Sequence, residues 1–164
     1  MGALTQIESE AGHLAELRTA RREDVPALVS LLAADQLGVS RDGIRDAADL
    51  AAYTAAFEAI DADPAHLLIV AESDGEVVGT LQLSILPGLA RRGALRAQVE
   101  AVRVAENRRG SGLGAAMMGW AIDEARRRGC ALVQLTTDKA RGDAHRFYRR
   151  LGFVASHDGM KLRL

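Results

Sequence analysis

The sequence predicts an α/β (α+β) domain, a central sheet with helices laid against it, and three features carry that prediction. Two β-rich runs, His66 to Glu72 and Glu76 to Leu86, flank Ser73-Asp74-Gly75, and Asp-Gly between such runs is a strong hairpin signal. A third long strand, Leu95 to Ala105, enters a glycine-rich turn that leads directly into an amphipathic helix, Leu113 to Arg128. Two further helical patterns precede the hairpin.

The residues before about position 13 look like a loose tail, and Ala15 to Ala20 reads as a short strand. Asp24 is a candidate N-cap and Pro26 falls in the first turn of the next helix, where its missing donor is harmless. Leu28, Leu31, Leu32 and Leu37 give that helix its apolar stripe. A second helix, about Ala47 to Ile60, places Leu50, Tyr53, Phe57 and Ile60 at helical spacing, and Asp63-Pro64 closes it. Gly129 stops the long helix as a C′ glycine. Cys130 to Thr136 reads as another strand, Asp143 to Arg150 as a short helix ended by Gly152, and Phe153 to Leu164 as one or two closing strands. There is no internal repeat, linker or low-complexity tract, so the expectation is one domain over residues 1–164.

The composition narrows the function. Twenty-one basic residues stand against twenty-two acidic ones, for a net charge of −1, which argues against a nucleic-acid binder. No window approaches the roughly 20 apolar residues of a membrane span. Met1 to Glu10 has no apolar run of a signal peptide, and Gln6 stands where a myristoylation signal needs Ser or Thr. Cys130 is the single cysteine, so no internal disulfide can form. These observations set the expectation of a soluble, cytoplasmic protein without nucleic-acid or membrane partners.

The informative segment is Glu106-Asn107-Arg108-Arg109-Gly110-Ser111-Gly112-Leu113-Gly114. Its glycines let backbone approach a ligand and take conformations other residues avoid. The helix that starts there directs unpaired N–H groups and a positive dipole end into the same space, a place for phosphate oxygens. A nucleotide-binding P-loop would need Lys-Ser/Thr after its last glycine, whereas Ala115 and Ala116 follow Gly114. A dinucleotide fingerprint, Gly110-x-Gly112-x-x-Ala115, matches formally but begins after about a hundred residues, and its second half would not fit in what remains.

Arg109-x-x-Gly112-x-Gly114, directly after Val99-Glu100-Ala101-Val102-Arg103-Val104, resembles motif A of the GNAT N-acetyltransferase superfamily. Ala144 to Phe153, Ala-His-Arg-Phe-Tyr-Arg-Arg-Leu-Gly-Phe, is similar to the family's second signature. The resemblance covers about residues 66 to 160. It implies a mixed, mostly antiparallel, twisted sheet of six to seven strands flanked by about four helices and splayed at the motif A strand, commonly around a bulge. It also implies acetyl-CoA as cosubstrate and a primary amine of a small molecule as acceptor. Backbone groups of Val102, Arg103 and Val104 would hold the pantetheine arm. Arg109, Gly110, Ser111, Gly112, Leu113 and Gly114 would hold the pyrophosphate, with Ala144 and Phe147 completing the coenzyme contacts. Where the family often carries Asn, Arg141 stands here, and an arginine can reach a coenzyme phosphate. Dimerisation, common in the family, is compatible with this chain.

Acyl transfer needs a neutral amine, a stabilised oxyanion and a protonated leaving thiolate. Glu100 is the candidate base. In a regular strand it would share the face of Val102 and Val104, where desolvation would raise its pKa toward the range of a base. The Val102 amide is a candidate oxyanion donor. Tyr148, whose phenol has a reference pKa near ~10, is the candidate acid for the thiolate. His13, His66, His145 and His157 lack metal-ligand spacing, so no metal is expected. Ser111 has no neighbouring base to make it a nucleophile. Acceptor contacts are expected from about residues 36–63 and from the basic loop Pro87 to Arg96, with Arg91, Arg92 and Arg96, which favours an acceptor bearing a carboxylate. The alternative to catalysis is an acetyl-CoA-binding module with a sensing or partner role.

Overall fold

A computed structural model describes residues 3–9, 12–34 and 41–162. They fall into two compact units, residues 1–134 and 135–164. Six strands, in spatial order β1 to β6, form the sheet: β1 (Ala3–Glu8), β2 (Leu14–Thr19), β3 (His66–Ser73), β4 (Glu76–Leu86), β5 (Leu95–Val104) and β6 (Cys130–Leu135). The four pairings from β1 to β5 are antiparallel. The helices are α1 (Val25–Ala33), α2 (Ala47–Asp61), a four-residue turn α3 (Ala90–Gly93), α4 (Leu113–Arg127) and α5 (Gly142–Arg150).

Three expectations need correction. Residues 3–8 are not a loose tail but a strand registered against β2, with Ile7 opposite Ala15; the segment acquires its conformation from a neighbour that its own weak alternation does not reveal. Residues 153–162 contain no strand among the described residues, and the side chains that suggested one, Val154, Met160 and Leu162, are exposed, with no packed face behind them. Asp24 occupies the N-cap position of α1 but its carboxylate does not cap the helix; it is taken by Arg18 and by the Arg21 amide. Leu37 lies outside the described residues.

Cross-strand partners share a face, which defines the two sides of the sheet. Leu17, Ile69, Ala71, Leu81, Leu83, Ala97 and Val99 are buried on the side of α4, which packs on β4 and β5 with Met117, Met118, Ala121 and Ala125. On the other side Val70 packs with Val25, Leu28 and Val29 of α1 and Phe57 of α2. Gly79 lets α4 come close: a Cβ there would stand 2.8 Å from Met117 Sδ and 3.3 Å from the Arg103 carbonyl. Gly79→Ala should therefore lose about 1 kcal/mol net, overpacking outweighing the entropy gained in the unfolded chain. Urea denaturation reads this directly.

In β5 the register advances regularly from Arg96 opposite Leu86 to Glu100 opposite Gln82, then slips. Arg103 faces Thr80, so Ala101 and Val102 together oppose Leu81, and Ala101 takes a left-handed conformation with φ 54°. This is a β-bulge inside the strand that the resemblance expects to splay.

Candidate active site

The bulge determines where Glu100 points. Glu100 pairs with Gln82 and Val104 with Gly79, three positions away on β4, so the two β5 residues face opposite sides of the sheet. The expected sharing of an apolar face with Val104 is thus corrected: the extra residue reverses parity. Glu100 is exposed among polar side chains rather than sheltered among valines, and it forms no ion pair with Arg96, Arg103 or any other described residue. Neither Ala101 nor Val102 has a register partner on β4, so the β4–β5 ladder is interrupted at the residue proposed to donate from its amide.

Beyond Val104, a single 3-10 turn, Glu106–Arg108, leads to the glycine segment. Gly110 and Gly112 both have positive φ, 76° and 88°, and Gly112 is the N-cap of α4. An L side chain at Gly112 would strain that left-handed cap. Gly112 has no side chain with which to cap α4. The amides of Gly110, Ser111 and Gly112 donate to nothing among the described residues, and the first-turn amides of α4 have no intrahelical acceptor. Leu113 apart, whose amide donates to Ser111 Oγ, these are uncommitted N–H groups at a helix dipole's positive end, suited to the oxygens of a diphosphate.

The side chains of this segment are placed differently. Ser111 Oγ donates to the Arg108 carbonyl at 2.7 Å and accepts from the Leu113 amide at 3.4 Å, so the hydroxyl secures the turn. Arg108 pairs with Asp74 at the β3–β4 turn, 3.4 Å away. Arg109 donates to the carbonyls of Val104 and Ala34, tying the loop to the end of α1. The cradle is therefore built of main chain. Arg103 Nη1 donates to the Val102 carbonyl at 2.9 Å.

In the second unit, the end of α5 explains the spacing of the second signature. Gly152, at φ 89°, donates to the Arg149 carbonyl and Phe153 to the Tyr148 carbonyl, the paired bonds of a Schellman motif. The accompanying apolar contact is the Tyr148 ring edge-on to Phe153 at 5.8 Å, with Phe147 edge-on to Tyr148 at 5.0 Å. Gly-Phe thus fixes the Tyr148 ring. Arg141 precedes α5, its carbonyl accepting from the His145 amide, and Ala144 is half-buried in the first turn. His157 is an exposed turn residue bonded to Ser156. Cys130 is half-buried; burial pushes its thiol up, with Arg128 only partly opposing, which disfavours the thiolate a nucleophile would need.

Sequence reasoning missed one feature. On the Glu100 side of the sheet, His66, Ser84 and Gln98 stand opposite one another on β3, β4 and β5. His66 Nδ1 lies 2.8 Å from Ser84 Oγ, Gln82 donates to the same hydroxyl at 3.4 Å, and Gln134 of β6 donates to Gln98 at 2.8 Å. The signal was available as polar residues at every second position of β4 and β5.

A bulged strand, a glycine segment with open main-chain amides and the helix that starts from it follow one another directly in this α/β fold. The family model described as acetyltransferase (GNAT) matches residues 30–153, and the chain belongs to that family. It is 32% identical over 142 residues, 87% of this chain and 86% of the relative, to the aminoalkylphosphonate N-acetyltransferase of Salmonella typhimurium. The crystal structure of a transcriptional regulator from Bacillus halodurans C-125 is 43% identical with a TM-score of 0.87, covering 92% of this chain and 99% of that one. A Clostridium acetobutylicum structure with acetyl-CoA, 19% identical, shares the fold with a TM-score of 0.70 over 91% of this chain and 96% of that one.

Proposed function

We propose that the protein transfers an acetyl group from acetyl-CoA to the primary amine of a small molecule by direct attack. The observation that carries this reading is the main-chain cradle at Gly110 to Gly114, whose amides other than that of Leu113 are uncommitted, set directly after a strand that bulges away from its β4 partner. The residues present fit the cosubstrate: open amides for its diphosphate, strand backbone without a β4 partner at the bulge for its amide-bearing arm, and no side chain intruding at Gly110. The thioester supplies an activated acyl carbon and a thiolate leaving group. Glu100 takes the proton from the amine, directly or through water, and the Val102 amide stabilises charge growing on the carbonyl oxygen. Tyr148 gives its proton to the departing sulfur, a role carried over from the family signature. The Salmonella relative's name supports a small amine as acceptor. The cytoplasm is the proposed compartment.

The test is thiol release on mixing acetyl-CoA with amino acids, aminoalkylphosphonates, polyamines and aminoglycosides, alongside calorimetric titration of coenzyme A. Tyr148→Phe is expected to lower kcat about tenfold or more with little change in acetyl-CoA affinity; unaltered turnover would remove Tyr148 from the mechanism. A second reading, an acetyl-CoA-binding regulator without turnover, is favoured by the name of the 43% identical Bacillus protein. Coenzyme binding with no thiol release from any amine would select it.

A further inference from the structure

The side of β5 that carries Glu100 reads, at alternate positions, Arg96, Gln98 and Glu100. The register against β4 is regular over this stretch, so the three side chains project from one face. Arg96 is half-buried, with its guanidinium alongside Gly88, and has no hydrogen bond or ion pair among the described residues. Gln98 accepts from Gln134 through its oxygen, which leaves its amide hydrogens uncommitted. Glu100 is exposed and unpaired. Along about 13 Å of strand, the face thus offers a cation, a neutral donor and an anion in that order. Buried Ser84, with His66 and Gln82 bonded to it, continues the polar floor onto β4 and β3.

Arg96 lies at the end of β5 opposite to the cradle, about 25 Å of strand from Val104 and the glycine segment that follows it. It is therefore not a partner for coenzyme phosphate. A half-buried cation without an anion is stabilised by whatever anion binds it, and the face pairs it with a carboxylate suited to an amine.

We propose that Arg96 and Gln98 form the anion subsite for the acceptor, and that the acceptor carries its amine and its oxyanion at opposite ends. The amine lies at Glu100, the chain crosses Gln98 and the Ser84 row, and a carboxylate or phosphonate rests on Arg96. This assignment rests on the acetyl-transfer reading for which end holds the amine. Subtracting one hydrogen-bond length at each end from the strand distance leaves about 7 Å between amine and oxyanion. That separation fits terminal amino acids of several methylenes. In an α-amino acid the two groups are adjacent and cannot reach both residues.

Calorimetry on the full chain saturated with coenzyme A tests the subsite by itself. The probes are δ-aminovalerate, the amino alcohol of the same length, the phosphonate of the same length, norvaline and cadaverine. The wild-type protein is expected to bind δ-aminovalerate or the phosphonate at least tenfold more tightly than the amino alcohol and norvaline; the ratio of the two acids identifies the oxyanion. Arg96→Gln should bring acid and alcohol within about twofold, Arg96→Lys should restore most of the preference, and Arg96→Glu should turn it toward cadaverine. Norvaline binding as tightly as δ-aminovalerate, or a preference that survives Arg96→Gln, would overturn the proposal. Thiol release without such a preference leaves acetyl transfer standing and removes the subsite; the preference without thiol release does the reverse.

Discussion

Replacing Glu100 with Gln is expected to lower kcat by about two to three orders of magnitude, the range in which a positioned base contributes. Gln keeps the size and hydrogen-bonding capacity of the side chain but cannot take a proton, so binding and chemistry separate. Acetyl-CoA affinity, which the proposed function assigns to the cradle some ten residues further along, should stay within about twofold. Melting temperature should hardly move, because Glu100 is exposed, forms no ion pair among the described residues and packs against nothing that its loss would uncover. This combination distinguishes a base from an ordinary strand glutamate. Glu100→Asp should recover part of the rate, since it retains the carboxylate while withdrawing it by one methylene. If the Gln variant turned over at the parent rate, the proton would have to leave through another group. Steady-state kinetics with a fixed amine decides the matter.

Much of this arrangement was legible in the sequence, and the reasons differ by element. The Asp74-Gly75 turn and the strand–glycine–helix passage were readable because their conformations are set locally: positive φ at Gly75, Gly110 and Gly112, and a helix with a continuous apolar stripe at Met117, Met118, Ala121 and Ala125. β1 was not readable, because its structure comes from pairing with β2 rather than from its own residues. The apolar residues near the C-terminus misled for the converse reason: Val154, Met160 and Leu162 resemble a strand face but are exposed.

The site divides in the same way. The cradle follows from glycine positions and helix polarity, both visible in one dimension. The direction of Glu100 depends on a bulge at Ala101, where a non-glycine residue takes φ 54°, and nothing about an alanine announces that. A left-handed alanine is strained by about 1 kcal/mol, sustained here by the surrounding sheet. One inserted residue changes the parity of everything after it, so a period-two argument carried across the bulge gives the wrong face. The same argument stopped before the bulge groups Arg96, Gln98 and Glu100 correctly.

The second large effect concerns Arg18, which is buried on β2 and holds two acids at once. Its guanidinium donates to both oxygens of Asp24, at 2.6 and 2.9 Å, and to Glu72 at 2.8 Å, linking β2, β3 and the entry to α1. The hydrogen bonds that Arg18 donates to Asp24, then the one it donates to Glu72 and the nearness of both charges, raise the Arg18 pKa well above its usual range despite burial. For Asp24, burial pushes the carboxyl up, but the Arg18 hydrogen bonds and the Arg21 amide, at 2.6 Å, more than offset it and leave the carboxyl below its usual value. Asp24→Asn should cost about 3–5 kcal/mol, because it leaves a buried cation under-compensated. Glu72→Gln, at a side chain with 34% exposure, should cost about 1 kcal/mol or less. The sign of the pH effect follows from the lowered pKa: with Asp24 ionised, its contribution is fully present above the unfolded carboxylate pKa near ~3.9 and disappears as pH falls through the lower folded value. Urea denaturation across that acid range should show the parent losing stability with a steeper slope than Asp24→Asn, which has no such proton to bind. Parallel slopes would mean that the Asp24 carboxylate contributes no linked stability and that the Arg18 cluster is held by packing alone.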